Sequence, residues 1–273
     1  MMSQALRAGR MASDDNKQIK KILDEVGDLI KEIPMENTPA ESGALVYKKI
    51  RDITGVIDPY KKLKKQSIKE AQSLYFEMKN IIKNSKEPLL TAIRIAIAGN
   101  VVDFGMNKKF SLTEDVKHIL VQNFAILDYK EFQYQLNNAQ NILYIGDNAG
   151  ESVFDKILIE ELGKKVTYVV REIPVINDVV YQDAVDSGLD TVAEIISSGT
   201  TAPGTILRLC SDDFIQRFYQ ADMVISKGQG NYEGLSGVNR SIFFLLKAKC
   251  PVIAKDIGVQ ENDIILQYKK GYD

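Results

Sequence analysis

From residue 141 to residue 170 the chain reads as a strand, a turn, a helix and a second strand, with almost nothing between them. Ile142-Leu143-Tyr144-Ile145 is an unbroken apolar run, and Gly146-Asp147-Asn148-Ala149-Gly150-Glu151 is a turn bounded by glycines. Glu151 to Leu162 is an amphipathic helix ended by Gly163 as a C-cap, and Val166 to Val170 is a strand rich in β-branched residues. Two strands joined through a helix this short pair in parallel with a right-handed crossover. This unit commits the carboxyl-terminal half to an open α/β sheet.

The alternation continues. A short helix is expected near Asp178 to Ala184, a strand over Thr191 to Ile196, and a loop over Gly199 to Gly204. A helix follows at Asp212 to Tyr219, a strand at Asp222 to Ser226, a helix within Glu233 to Lys247, and a strand at Pro251 to Ala254. The first half has the helical period instead. Ile19, Ile22, Leu23, Val26, Leu29 and Ile30 line one face of a helix between Asp14 and Glu32, which Pro34 and Pro39 end. Further helices are expected around Ala44 to Thr54, over Tyr60 to Asn84, and from Pro88 to near Gly99-Asn100. The reading is α/β: a helical domain over 1–135 packed on a Rossmann-like domain with a mainly parallel sheet over 136–273.

With 45% hydrophobic residues the 273-residue chain can build a large core, and its formal net charge of -2 gives no case for nucleic-acid or membrane binding. The basic cluster Lys61-Lys62-Leu63-Lys64-Lys65 reads as a solvated helix face. No run of about 18 apolar residues exists to span a bilayer, and Met1 to Arg10 lacks the apolar core of a signal peptide. Cys210 and Cys250 sit in apolar surroundings, as buried thiols do in a reduced, cytoplasmic protein. The one histidine, His118, reads as a helix-surface or core residue rather than as part of a nucleophilic triad. The pattern fixes no oligomeric state.

In a parallel sheet, three strand-end loops project to one edge, where ligands bind. They carry Asp147-Asn148, the segment Arg171 to Asp178, and Ser226-Lys227-Gly228-Gln229-Gly230-Asn231-Tyr232-Glu233. Asp147, Asn148 and Asp178 offer hard oxygen donors suited to Mg²⁺ or Mn²⁺. Lys227 would bring positive charge to an anion, and Gly228 and Gly230 would let backbone N–H groups approach it. A metal, a lysine and a glycine-lined backbone suit a phosphoryl group. Each residue also has a plainer reading: Asp147 and Asp178 as helix caps, Lys227 as a solvated turn residue. Ser198-Gly199-Thr200-Thr201 has the look of a phosphate loop without the Walker spacing. Asn100-Val101-Val102-Asp103-Phe104-Gly105 sets an amide and a carboxylate just past a small-residue helix.

Four of these segments, with Ile97-Ala98-Gly99-Asn100-Val101-Val102-Asp103-Phe104-Gly105 as the first, occur in the order found in the microbial branch of the metal-dependent damage-control phosphatases. The sequence resembles that family from about Gln4 to its end. The resemblance implies a Rossmann-like α/β/α sandwich with a helical N-terminal domain, and hydrolysis of small phosphoesters such as sugar phosphates or damaged phosphometabolites. It implies a divalent cofactor (Mg, Mn, Co or Ni) held by Asp147, Asn148 and Asp178, with Lys227 at the phosphate. It makes Asn100 and Asp103 candidates for substrate contact, beside Gly228, Ser198 and Gly199. The expected partner is a small phosphorylated metabolite, and Asp147 or Asp178 is also a candidate to deprotonate the attacking water. The cysteine pair that many microbial members carry shortly before the segment matching Gln4-Ala5-Leu6-Arg7 has no counterpart in this sequence. Two other classes compete: an S-adenosylmethionine-dependent methyltransferase, with Glu172 as its second-strand acid, and a non-catalytic sugar-phosphate or nucleotide-binding module.

Overall fold

A computed structural model describes residues 1–99 and 118–272. Asn100 and Asp103 lie outside the described residues. The first described helices are α1 (Met2–Ala12), α2 (Asn16–Glu32), α3 (Pro39–Thr54), α4 (Lys61–Lys83) and α5 (Pro88–Gly99). Then come β1 (Phe124–Leu127), α6 (Tyr129–Asn138), β2 (Asn141–Ile145), α7 (Ser152–Leu162), β3 (Lys165–Val170), α8 (Tyr181–Asp186) and β4 (Glu194–Ser197). The chain finishes with α9 (Asp212–Gln220), β5 (Met223–Lys227), α10 (Gln229–Leu235), β6 (Ile242–Lys247), α11 (Pro251–Ile257) and β7 (Ile264–Lys269).

Local chemistry sets many of these boundaries. Asp15 caps α2 by accepting from Lys17 N at 2.9 Å. Pro39 opens α3 rather than breaking a helix, because Thr38 and Glu41 close a capping box around it: Glu41 N donates to Thr38 Oγ1 at 3.3 Å and Thr38 N to Glu41 Oε2 at 2.8 Å. Two assignments from sequence invert for the same kind of reason. Pro251-Val252-Ile253-Ala254 is a helix, with Pro251 in its first turn and Gly258 as its C-cap. Ile242-Phe243-Phe244-Leu245-Leu246 is a strand, β6, buried on both faces; α10 begins earlier, at Gln229.

The strands form one sheet in the order β1-β7-β6-β5-β2-β3-β4. All neighbours are parallel except β6 and β7. Helices α4, α5, α6 and α7 cover one face, centred on Phe132, Phe154, Ile157 and Ile95. Helices α9, α10 and α11 cover the other, around Phe214, Phe218, Tyr232 and Phe244. The layers make a doubly wound α/β/α sandwich. The sheet reaches back to Phe124, upstream of the 135/136 boundary expected from sequence, and α6 runs across that boundary. Helices α1 and α6 and strands β1 and β7 are not among the elements expected from sequence.

Helices α1, α2 and α3 bury a core of their own, with Ile22, Val26, Val46 and Ile50 at its centre. That cluster takes in Val175 and, at its margin, Ile176, both from the loop after β3, so the helical unit sits on a strand-end loop. A second tie corrects an expectation. Lys64 is only 1% exposed. Its ammonium pairs with Asp183 at 2.6 Å and Asp58 at 2.8 Å, locking α4 to α8. The basic cluster is therefore not wholly a solvated face, because one of its lysines points into the domain junction. Cys210 and Cys250 are free and half-buried, and His118 is exposed. Among the described residues no helix is long and apolar enough to cross a membrane.

Candidate active site

The chain runs from β2 to β3 to β4 on one side, then returns to place β5 against the other flank of β2. This reversal is a topological switch point, the usual crevice for ligands in such sheets. Ile145 pairs with Val169 on one side and Ser226 on the other, which brings the turns after β2, β3 and β5 to the same level. Gly146 begins the first turn. A Cβ there would lie 2.3 Å from the Tyr168 hydroxyl, so only glycine lets β3 pass so close.

Asp147 and Asn148 are joined to Asp178 through the backbone. Asn148 and Asp178 form an isolated antiparallel bridge. Ala149 N donates to Asn177 O at 2.8 Å and Val179 N to Asp147 O at 2.8 Å. The two loops thus grip each other as a short ladder, and the three expected metal ligands are brought together. The capping alternatives fall away. Helix α7 starts at Ser152 after Glu151, and α8 starts at Tyr181, with Asp183 accepting from Val180 N at 3.0 Å.

Asp178 is held from behind. Arg171, 1% exposed, donates from Nε to Asp178 Oδ2 at 2.8 Å. The same guanidinium reaches Thr205 Oγ1 at 3.1 Å and Asn231 Oδ1 at 2.9 Å, and stands 4.0 Å from Asp147. Gly204 N also points at Asp178 Oδ2, at 3.4 Å. Asn231 completes the knot by donating to Gly146 O at 3.0 Å and Lys227 O at 2.7 Å. One arginine and one asparagine therefore fasten the ends of β2, β3 and β5 and the loop after β4. Neither stands out by spacing, although both lie within the segments that drew attention; a charged residue directly after a β-branched strand is the signal for Arg171.

The carboxylates crowd one another. Burial pushes Asp178 up to about 6, with Arg171 opposing and Asp147 adding to the rise. Burial likewise pushes Glu151 up to about 7, opposed by Lys227 and reinforced by Asp147. Asn148 Nδ2 faces these acids, donating to Asp147 Oδ2 at 3.2 Å and to Glu151 Oε1. Among the described residues no three His, Cys, Asp or Glu side chains form a ready-made cation cage. The donor chemistry still fits a hard divalent ion: two carboxylates that repel each other across a cleft, with an amide between them. Glu151, buried and beside Asn148, is a site residue the sequence reading did not single out.

Four expected substrate contacts take other positions. Lys227 is wholly buried, and its ammonium meets Ala96 O at 2.7 Å, Asp155 Oδ1 at 2.6 Å and Glu151 Oε2 at 3.3 Å. Three acceptors use its three protons, so it acts on the site through Glu151 instead of pointing at a phosphate. Gly228 spends its N–H on Leu245 O at 3.1 Å, and Gly230 packs against Gly204, where an added Cβ would lie 2.4 Å from Gly230 O. Ser198 turns its hydroxyl to Val170 O at 3.0 Å, and Gly199 fits a left-handed turn (φ 76°) against Ser211. These residues shape the loop after β4, which wraps Asp178. On the helical side, Tyr47 and Tyr60 are hydrogen-bonded to each other, and both lie within electrostatic reach of Arg7. Tyr47 also lies within electrostatic reach of Asp178.

A doubly wound sheet with oxygen-rich loops at its switch point defines the general class as a Rossmann-like α/β protein with a ligand site at its strand ends. The chain belongs to the family of the damage-control phosphatase ARMT1-like domain, which it matches over residues 1–265. It is 36% identical to damage-control phosphatase PH1575 of Pyrococcus horikoshii, across 99% of this chain and 96% of that one. It is 31% identical to a damage-control phosphatase of Archaeoglobus fulgidus, across 94% and 92%. The crystal structure of the Pyrococcus horikoshii protein, described as a DUF89 family member, superposes with a TM-score of 0.90 at 35% identity, covering 98% of this chain and 96% of that one.

Proposed function

We propose that this protein is a divalent-metal-dependent phosphatase acting on small phosphoesters, sugar phosphates and damaged phosphometabolites among them. The observation that carries the reading is the backbone ladder between Asn148 and Asp178, which makes the segments of Asp147, Asn148 and Asp178 neighbours at the switch of the sheet. Family membership and the names of its relatives support the same class.

Asp147, Asn148 and Asp178 would hold the cation. A divalent ion there supplies Lewis-acid polarisation of a phosphoryl oxygen and lowers the pKa of a water. The protein's part is to hold and orient. Arg171 holds Asp178 through Oδ2, which would leave Oδ1 for the ion. Glu151 holds the Asn148 amide nitrogen, which leaves the amide oxygen for the ion. Asp147 or Asp178 would take a proton from the attacking water. The helical unit, whose Tyr47 lies within electrostatic reach of Asp178, would bear on which substrates the site admits.

The test is a phosphate-release screen over sugar phosphates, with and without EDTA and with Mg²⁺, Mn²⁺, Co²⁺ or Ni²⁺ restored. Release that disappears with EDTA, returns with metal, and is abolished by Asp147→Ala and by Asp178→Ala supports the reading. Full turnover in EDTA, or in either variant, defeats it. Calorimetry with S-adenosylmethionine against Mn²⁺ separates the methyltransferase alternative, and ligand binding without any turnover would mark a binding module.

A further inference from the structure

We propose that Asp155 is a positioning residue for this site: it holds Lys227 where that lysine can steady both Glu151 and the end of α5. The inference rests on the metal-dependent reading above.

Asp155 lies in the first turn of α7 and is fully buried. Its Oδ1 accepts from Tyr144 Oη at 2.7 Å and from Lys227 Nζ at 2.6 Å, and its Oδ2 accepts from Tyr168 Oη at 2.8 Å. The two tyrosines are register partners on β2 and β3, with rings stacked 5.5 Å apart. The carboxylate is thus fixed by rigid strands on one side and neutralised by one ammonium on the other.

That ammonium is shared. Asp155 takes it at 2.6 Å and Glu151 at 3.3 Å. Because Asp155 carries the shorter contact, Glu151 keeps its other oxygen on the Asn148 amide. Without the Asp155 charge, Lys227 would draw on Glu151 alone and pull it from Asn148. An uncompensated positive charge would also stand close to the cation in a medium that screens it poorly. The third Lys227 contact, Ala96 O, lies in the last turn of α5, where carbonyls lack helical partners and a cation is favoured. Lys227 therefore also sets the helix end from which the chain continues to Asn100 and Asp103.

The experiment measures Mn²⁺ affinity of the full chain by calorimetry without substrate, beside kcat and KM. Asp155→Asn keeps the shape and one tyrosine bond as it is while removing the charge; at the other tyrosine the amide nitrogen must donate to the hydroxyl oxygen, so that bond reverses. It is expected to weaken Mn²⁺ binding about tenfold or more, and Asp155→Asn/Lys227→Met is expected to recover part of that loss and not all of it, since the unbalanced charge is gone but so is the donor to Glu151 and Ala96 O. A merely structural role would give a double variant no better than the single one. Wild-type affinity in Asp155→Asn, or no recovery in the double variant, overturns the proposal. If Asp155→Asn fails to fold, Tyr144→Phe/Tyr168→Phe removes two hydroxyl donors and no charge. It should weaken Mn²⁺ about threefold, and an unchanged constant overturns the proposal equally. A wild-type protein that binds no Mn²⁺ sinks the metal reading and this inference with it, an outcome distinct from loss in the variants alone.

Discussion

Arg171 Nε stands 2.8 Å from Asp178 Oδ2, with both side chains buried. The pair lies behind the loops it joins, so its guanidinium positions a carboxylate and leaves the cleft free. Removing one partner of a buried pair strands the other charge. Arg171→Ala is therefore expected to cost about 3–5 kcal/mol in urea unfolding and to abolish Mn²⁺ binding. Arg171→Lys keeps the charge but cannot fork to Thr205 and Asn231 as well, so it should restore little of either. An Arg171→Lys protein with wild-type stability and affinity would show that charge alone is enough.

Ser198 gives a sharper contrast between sequence and structure. Its hydroxyl donates to Val170 O at 3.0 Å, and Thr200 N turns toward it at 3.4 Å, with Ser198 and Thr200 both buried. Ser198→Ala leaves Thr200 N short of an acceptor, whereas Val170 O keeps the Ser198 backbone N–H at 2.8 Å, so a loss of roughly 1–3 kcal/mol in stability is expected, with little change in KM. A several-fold rise in KM with stability unchanged would restore the phosphate contact that the Ser198-Gly199 pattern implied.

What was legible follows from range of interaction. The β2–α7–β3 unit and helices α2, α4 and α5 could be read because each is long and regular, or closed by its own cap and turn residues. Asp147, Asn148 and Asp178 could be read as a set because parallel strands send their ends to one edge. The failures are non-local. Lys227 lies at a strand end, as expected, but only tertiary packing shows its side chain running under the turn to Ala96 and Asp155. Lys64 has four charged or polar neighbours in sequence, and its burial depends on Asp183, 119 residues away. Pro251 was read as part of a strand because its apolar neighbours suit either element, and only Cys250 as N-cap and Gly258 as C-cap decide the matter.

The Lys64 junction makes a pH-dependent prediction. Burial raises the Asp183 pKa above its usual range, and Lys64 is the largest opposing influence. A carboxylate whose folded pKa is raised costs stability once it ionises, and that cost vanishes when the pH falls through the folded value toward the unfolded one. Lys64→Met removes the offset and should push Asp183 higher still. The variant should lose about 3–5 kcal/mol at neutral pH. The deficit relative to the wild type should shrink steadily as the pH is lowered into the acid range. Urea titrations at several pH values measure both curves, and a deficit that is constant or grows on acidification would contradict the assignment of the shift to Asp183.

Gly146 tests how tightly the floor of the site is built. An added Cβ would lie 2.3 Å from Tyr168 Oη and 2.6 Å from Cζ. Tyr168 cannot simply swing away, because its hydroxyl is bonded to Asp155 at 2.8 Å and its ring is stacked on Tyr144. Gly146→Ala should therefore cost about 1–3 kcal/mol through overpacking and should also lower Mn²⁺ affinity, since the strain falls on the residue that braces Asp155. Gly146→Ala/Tyr168→Phe removes the nearest atom and should recover part of the stability, not all of it, because the ring carbon remains. The two changes act on one contact, so their effects should be non-additive by at least about 0.5 kcal/mol. Strict additivity in the cycle would mean that the backbone at Gly146 moves freely, and the account of why a glycine starts this turn would be wrong.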